Sequence, residues 1–88
     1  MPSRTVDVLN RRGLHARASA KFVTLASARK AQIEVEKDGS SVCGTSIMGL
    51  MMLGAAMGDS ITIHAEGEDA EASLAKLVEL VEDRFGEE

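Results

Sequence analysis

Gln32-Ile33-Glu34-Val35-Glu36-Lys37-Asp38-Gly39-Ser40-Ser41-Val42-Cys43 is the stretch on which the fold turns. Apolar and polar residues alternate from Gln32 to Lys37, the period of a strand with one wet face. Asp38-Gly39 then supplies two residues suited to the positive φ angles of a type I′ turn. Ser40 to Cys43 returns as a second, shorter strand. The segment reads as a β-hairpin, and strands with one apolar face need a covering layer. Cys43, in the run Ser41-Val42-Cys43, is expected as a small core residue rather than a reactive thiol.

Working outward, Arg4 to Leu9 alternates with Val6 and Val8 on one side and reads as an N-terminal strand. Asn10 to Gly13 is a turn by composition. From His15 the period becomes helical: Leu14, Ala18, Phe22, Leu25 and Ala26 recur at helical spacing through Ser27, and Arg17, Lys21 and Thr24 share the solvent face. Downstream of the hairpin, Gly44-Thr45-Ser46 is a break and Ile47 to Leu53 a short apolar helix. Gly54 and Gly58-Asp59 punctuate its exit. Ser60 to Ala65 is a fourth strand with Ile61 and Ile63 inward and His64 on the solvated side. After the turn Glu66-Gly67-Glu68-Asp69, a last helix runs from Asp69 to about Phe85. Its apolar stripe is Ala70, Leu74, Leu77, Val78, Val81 and Phe85, and Asp69 and Glu71 complement the positive helix start.

The order βαββαβα predicts an α+β fold: a four-stranded sheet covered on one face by three helices, in a single domain spanning 1–88. Pattern alone leaves a ferredoxin-like domain open.

Eighty-eight residues bury only about 60–65% of the unfolded surface, so chemistry belongs at a loop or a helix end rather than in a deep cavity. With two Phe, no Tyr, no Trp and a net charge of −4, nucleic-acid binding is disfavoured, despite the local cluster Arg11, Arg12 and Arg17. One cysteine excludes an internal disulfide and fits a reducing compartment. The apolar stretch Ile47 to Met57 is about half of what a bilayer span requires. Nothing reads as a signal peptide, so a cytoplasmic location with no membrane insertion is expected. The histidines and the cysteine show no metal-ligand spacing, and no metal or other cofactor is expected.

Gly13-Leu14-His15-Ala16-Arg17 carries the candidate chemistry. It sits at a loop-to-helix junction, where unpaired N–H groups and a partial positive charge favour a phosphate. The same field disfavours imidazolium, leaving His15 a neutral ring with a lone pair able to attack phosphorus. The N–H groups of Ala16 and Arg17 and the Arg17 guanidinium suit the resulting phosphate. A plain surface histidine beside a solvated arginine satisfies the residues equally well. Ser46, before an apolar helix, is a good N-cap. Met48, Met51 and Met52 are more than a short one-sided helix can bury, which points to a soft docking patch.

The stretch from Gly13 to Val23, Gly-Leu-His-Ala-Arg-Ala-Ser-Ala-Lys-Phe-Val, resembles the active-site signature of the histidine-containing phosphocarrier (HPr) family of the bacterial phosphoenolpyruvate-dependent phosphotransferase system. Ser46 to Leu53 is similar to that family's regulatory-serine segment, and Gly58-Asp59 and Ala65 to Asp69 also match. The resemblance covers nearly the whole chain. It implies an open-faced β-sandwich and a carrier, not an enzyme, that takes a phosphoryl group on His15 through Nδ1, with Arg17 orienting the phosphate. Enzyme I would be the donor and a histidine of an enzyme IIA the acceptor. The same likeness implies Ser46 as a target of HPr kinase/phosphorylase, and Ile47, Met48, Met51 and Met52, beside the first helix, as a docking surface of a monomer. One departure stands out: Ala18 occupies a position where many members carry proline. Asn10-Arg11-Arg12-Gly13 leans to the nitrogen-related branch and Ser46-Ile47-Met48-Gly49 to the kinase-regulated type, so both branches stay open. The rival reading is a ferredoxin-like ligand-binding or regulatory module without covalent phosphate.

Overall fold

The hairpin forms as its residues dictate. Strand β2 (Gln32–Lys37) pairs antiparallel with β3 (Ser40–Cys43), with Val35 opposite Val42 and Lys37 opposite Ser40. Asp38 (φ 50°) and Gly39 (φ 85°) both take positive φ between them, as a type I′ turn requires. The computed structural model describes residues 2–87; Met1 and Glu88, the ends of the expected 1–88 domain, lie outside the described residues.

Around the hairpin lie β1 (Ser3–Asp7), α1 (Ala16–Ser27), α2 (Ile47–Met52), β4 (Ser60–Glu66) and α3 (Ala70–Glu82). The sheet has the order β1-β4-β2-β3, and all three ladders are antiparallel. Alternation then sorts its two faces. Val6, Ile33, Val35, Ile61, Ile63 and Ala65 are buried together with Phe22 and Ala26 of α1, Leu50 of α2, and Leu74, Leu77, Val78 and Val81 of α3. Outward stand Thr5, Glu34, Glu36, Thr62 and His64, with the Thr5 and Thr62 hydroxyls 2.9 Å apart and His64 Nε2 3.0 Å from a Glu36 carboxylate oxygen. The fold is an open-faced β-sandwich, as the alternation and the helical stripes predict.

Two local expectations need correction, and one acidic residue has a further role. Cys43 is exposed, not core. The alternation that turns Val42 inward turns Cys43 to the wet face opposite Glu34, where its sulfur lies 3.0 Å from the Thr45 hydroxyl. Hydrogen bonds from the Thr45 side chain and backbone hold the thiol below its ordinary value.

The last helix stops at Glu82 rather than near Phe85. Asp83 caps it, and a short 3-10 turn follows in which Arg84 (φ 57°), Phe85 (φ 55°) and Gly86 (φ 75°) are all left-handed. Phe85 is nonetheless fully buried, so the backbone reverses while the ring still completes the core.

Asp69 is not a side-chain cap of α3. Its carboxylate accepts from the Ser73 hydroxyl (2.7 Å) and from the backbone N–H groups of Ala31 (3.1 Å) and Lys30 (3.4 Å), with an Arg29 nitrogen at 3.5 Å. It therefore ties the α1–β2 connection to the start of α3. The Ser73 hydrogen bond foremost, then those N–H groups and Arg29, outweigh partial burial and hold the carboxyl below its ordinary value.

Candidate functional site

The segment between β1 and α1 is fixed at both ends before any functional group is placed. Val8 is fully buried and exchanges backbone hydrogen bonds with the 58–59 turn: its N–H donates to Asp59 O and its carbonyl accepts from the Gly58 N–H, each at 2.8 Å. The Gly13 N–H donates to Asn10 O (3.1 Å) and the Leu14 N–H to Ala55 O (3.0 Å). Gly13 sits at φ +63°, and a Cβ there would overlap the Ala55 carbonyl oxygen and stand 2.9 Å from Ala56 Cα. Leu14 inserts into the core, and His15 follows at the surface.

Helix α1 starts at Ala16, and His15 is its N-cap, in an extended conformation. The imidazole does the capping: Nδ1 accepts from the Arg17 N–H at 3.3 Å. The next turn is closed by Ser19, whose N–H donates to His15 O (2.9 Å) and whose hydroxyl donates to Leu14 O (3.1 Å). Nδ1 is thus the unprotonated nitrogen, held at the positive end of a twelve-residue helix beside the backbone of Ala16 and Arg17. The Arg17 side chain is exposed on the same turn.

The other ring nitrogen has a partner that sequence reasoning did not find. Nε2 lies 2.6 Å from Glu87 Oε2, with 21% of the histidine side chain and 18% of the glutamate side chain exposed. Because Nδ1 already accepts, Nε2 is the donor; the hydrogen bond on one nitrogen sets the state of the other. The second oxygen of Glu87 accepts from Asn10 Nδ2 at 3.0 Å. Partial burial pushes the Glu87 carboxyl up, but the hydrogen bonds from Asn10 and His15, together with the Lys21 charge, bring it below its ordinary value.

Asn10 opens the turn that the composition predicts and is wholly buried in it. Its amide also donates to Gly13 O at 2.8 Å. Both partners are pure acceptors, which fixes the amide orientation, since a flipped Asn would set oxygen against oxygen. Asn10 Oδ1 is then buried with no hydrogen-bond partner among the described residues.

Glu87 reaches the histidine because the tail is pinned one turn earlier. The Lys21 ammonium donates to Phe85 O at 2.7 Å, and the buried Phe85 ring holds the left-handed turn against the core. No local signal announces this, since the contacts join residues 72 and 77 positions apart.

Ser46 stands where the sequence puts it, as the N-cap of α2. Its hydroxyl accepts from the Gly49 N–H at 2.9 Å. Gly49 packs so closely that a Cβ would come within 3.1 Å of both Ser46 Oγ and Val42 Cβ. Of the six residues of α2 only Leu50 is buried. Ile47 (42% exposed), Met48 (70%), Met51 (41%) and Met52 (79%) form an apolar surface, next to α1 because the two helices pack together.

Comparison with known proteins agrees with this geometry. The sequence model of the family described as "PTS HPr component phosphorylation site" matches residues 2–83. The "Phosphocarrier protein HPr" of Pseudomonas aeruginosa is 44% identical over 88 residues, covering 99% of this chain and 98% of that protein. A crystal structure of HPr-C-His from Thermoanaerobacter tengcongensis superposes with a TM-score of 0.95 at 46% identity, covering 100% of this chain and 99% of its own. That of the phosphocarrier protein HPr from Bacillus anthracis gives a TM-score of 0.87 at 44% identity, covering 91% and 95%. These matches lend no support to a ferredoxin-like module, and among the described residues no helix is long and apolar enough to cross a membrane. The sheet order, the helix-capping histidine and these likenesses agree, and the chain belongs to the HPr family of phosphotransferase-system phosphocarriers.

Proposed function

We propose that the chain is a stoichiometric, cytoplasmic carrier in which Nδ1 of His15 accepts a phosphoryl group from phospho-enzyme I and yields it to a histidine of an enzyme IIA. The observation that carries this reading is the division of roles on one ring: Nε2 donates to Glu87 while Nδ1 presents a lone pair at the start of α1. The lone pair attacks phosphorus, and the new N–P bond forms as the donor's bond to phosphorus breaks. The ring keeps its Nε2 proton and becomes cationic, facing the Glu87 carboxylate. Phosphoryl oxygens take over the N–H groups of Ala16 and Arg17, which a helix start offers to anions, and the Arg17 guanidinium supplies a planar fork. Delivery to enzyme IIA runs these steps in reverse, with the acceptor's ring nitrogen as nucleophile.

Ile47, Met48, Met51 and Met52 form the docking face in this proposal, with enzyme I and enzyme IIA as its partners. Ser46 is a capping hydroxyl that HPr kinase/phosphorylase modifies. The reading covers sugar uptake and nitrogen-related regulation alike.

Incubation with phosphoenolpyruvate and enzyme I tests it. Wild type gains one acid-labile, base-stable phosphate, and His15→Ala gains none while losing only the stability of a cap, about 1 kcal/mol. An acid-labile label retained in His15→Ala removes His15 from the mechanism, and no label on wild type removes the carrier reading.

A further inference from the structure

We propose that Asn10 is a positioning residue for the phosphoryl acceptor, joining the loop that carries His15 to the carboxylate that holds its ring. The inference rests on the reading of His15 as that acceptor. Three observations carry it. Asn10 is completely buried in a loop whose neighbours Arg11 and Arg12 are exposed. Both hydrogens of its amide are committed: one to the Gly13 carbonyl (2.8 Å), which shapes the turn two residues before the histidine, and one to Glu87 Oε1 (3.0 Å). Its carbonyl oxygen, by contrast, meets no polar side chain or backbone donor among the described residues. A residue buried only to complete the loop would keep its hydrogen bonds within that loop. Here the donor end makes two bonds, one inside the loop and one out to the carboxylate on the tail.

The consequence is mechanical. Glu87 has two oxygens, and one hydrogen bond to Nε2 would leave the carboxylate free to swing about its own axis. The second bond, from a buried and immobile amide, fixes its plane, and with it the plane of the imidazole. The lone pair on Nδ1 is thereby aimed outward along one direction. Carboxylates that orient a reacting or ligating imidazole are themselves usually held by a further hydrogen bond, and loss of such outer contacts costs on the order of 10–100-fold in function.

The test needs three variants: Asn10→Ala, Glu87→Gln and the double change. Phosphotransfer from enzyme I should slow about tenfold in Asn10→Ala, and the double variant should be no slower than the slower single one, because Asn10 acts through Glu87. Additive losses overturn the proposal. Two readouts require no phosphoryl donor and so stand apart from the carrier reading. In wild type the Glu87 carboxyl, followed by carbon NMR, is expected to titrate below its ordinary value; in Asn10→Ala it should move back up. In Glu87→Gln, altered only in the tail, one Asn10 side-chain amide proton should exchange faster with water. An unmoved Glu87 titration, or Asn10 amide signals indifferent to Glu87→Gln, overturns the proposal even where Asn10→Ala folds poorly.

Discussion

Gly13 carries two constraints at once, and they act on different atoms. Its φ of +63° belongs to the left-handed region, and the space its Cβ would fill is already taken by the Ala55 carbonyl and Ala56 Cα. The Leu14 N–H bonds to that same Ala55 carbonyl, so relief of the clash pulls on the residue next to His15. Gly13→Ala should therefore cost about 2–3 kcal/mol in stability and lower the phosphotransfer rate of the fraction that remains folded. Thermal melting alongside the rate with enzyme I checks both halves. A conserved rate in a destabilised protein would confine Gly13 to folding. At this scale the sequence points to the groups proposed to react and is silent about what holds them. His15, Arg17 and Ser46 stand out by residue type beside a helix start. Asn10 and Glu87 do not, because their roles come from contacts across 72 and 77 positions, which no local period encodes.

The elements were more legible than their ends. Alternation and helical spacing identify β1, β2, β4, α1 and α3, because burial against one face imposes those periods wherever the element lies, while β3 follows from the Asp38-Gly39 turn and α2 from its apolar run. The end of α3 escapes this logic. Phe85 continues the apolar stripe of Leu74, Leu77, Val78 and Val81, yet it reaches the core from a left-handed turn after the helix has stopped. A buried ring reads the same in sequence whichever backbone delivers it. Cys43 fails for a related reason, since β3 is too short for its alternation to show which side is wet. The tail that begins at Phe85 also has a pH dependence of definite sign. The native Glu87 carboxyl lies below its ordinary value, so its stabilising bonds are fully present above the ordinary glutamate value of about 4.3. They are lost as the pH falls through the depressed native value. Melting temperatures of wild type and Glu87→Gln should differ at neutral pH and converge in acid; a gap that persists in acid would mean that the carboxylate charge contributes nothing.

For the whole molecule, what matters is where charge and apolar surface lie relative to one another. The net charge is −4, yet Arg11, Arg12 and Arg17 stand exposed on the loop before His15 and on the first turn of α1, and the exposed methionines belong to α2, which packs on α1. In the proposed reading an acidic partner is drawn to these arginines and seats on the apolar surface. A negative charge at Ser46 works against both. It sits at the start of α2, where the backbone tolerates it, while a docking partner must strip its water or face it with acidic groups of its own. Ser46→Asp should slow His15 phosphorylation by enzyme I with little change in melting temperature, whereas Ser46→Ala should lose about 1 kcal/mol of capping and keep its rate. Equal rates in all three proteins would leave Ser46 as a cap alone.

Helix α2 has one fully buried side chain, Leu50, and is held besides by the Ser46 cap, the close approach of Gly49 to Val42 and its packing on α1. Met48 and Met52 are its most exposed side chains. Mutations at Met48 or Met52 can accumulate without a matching change in the interior, so a lineage can exchange one partner for another while inheriting the same scaffold and the same histidine. In the proposed reading partner choice and phosphoryl chemistry fall to separate residues, and selection can revise the first without reopening the second.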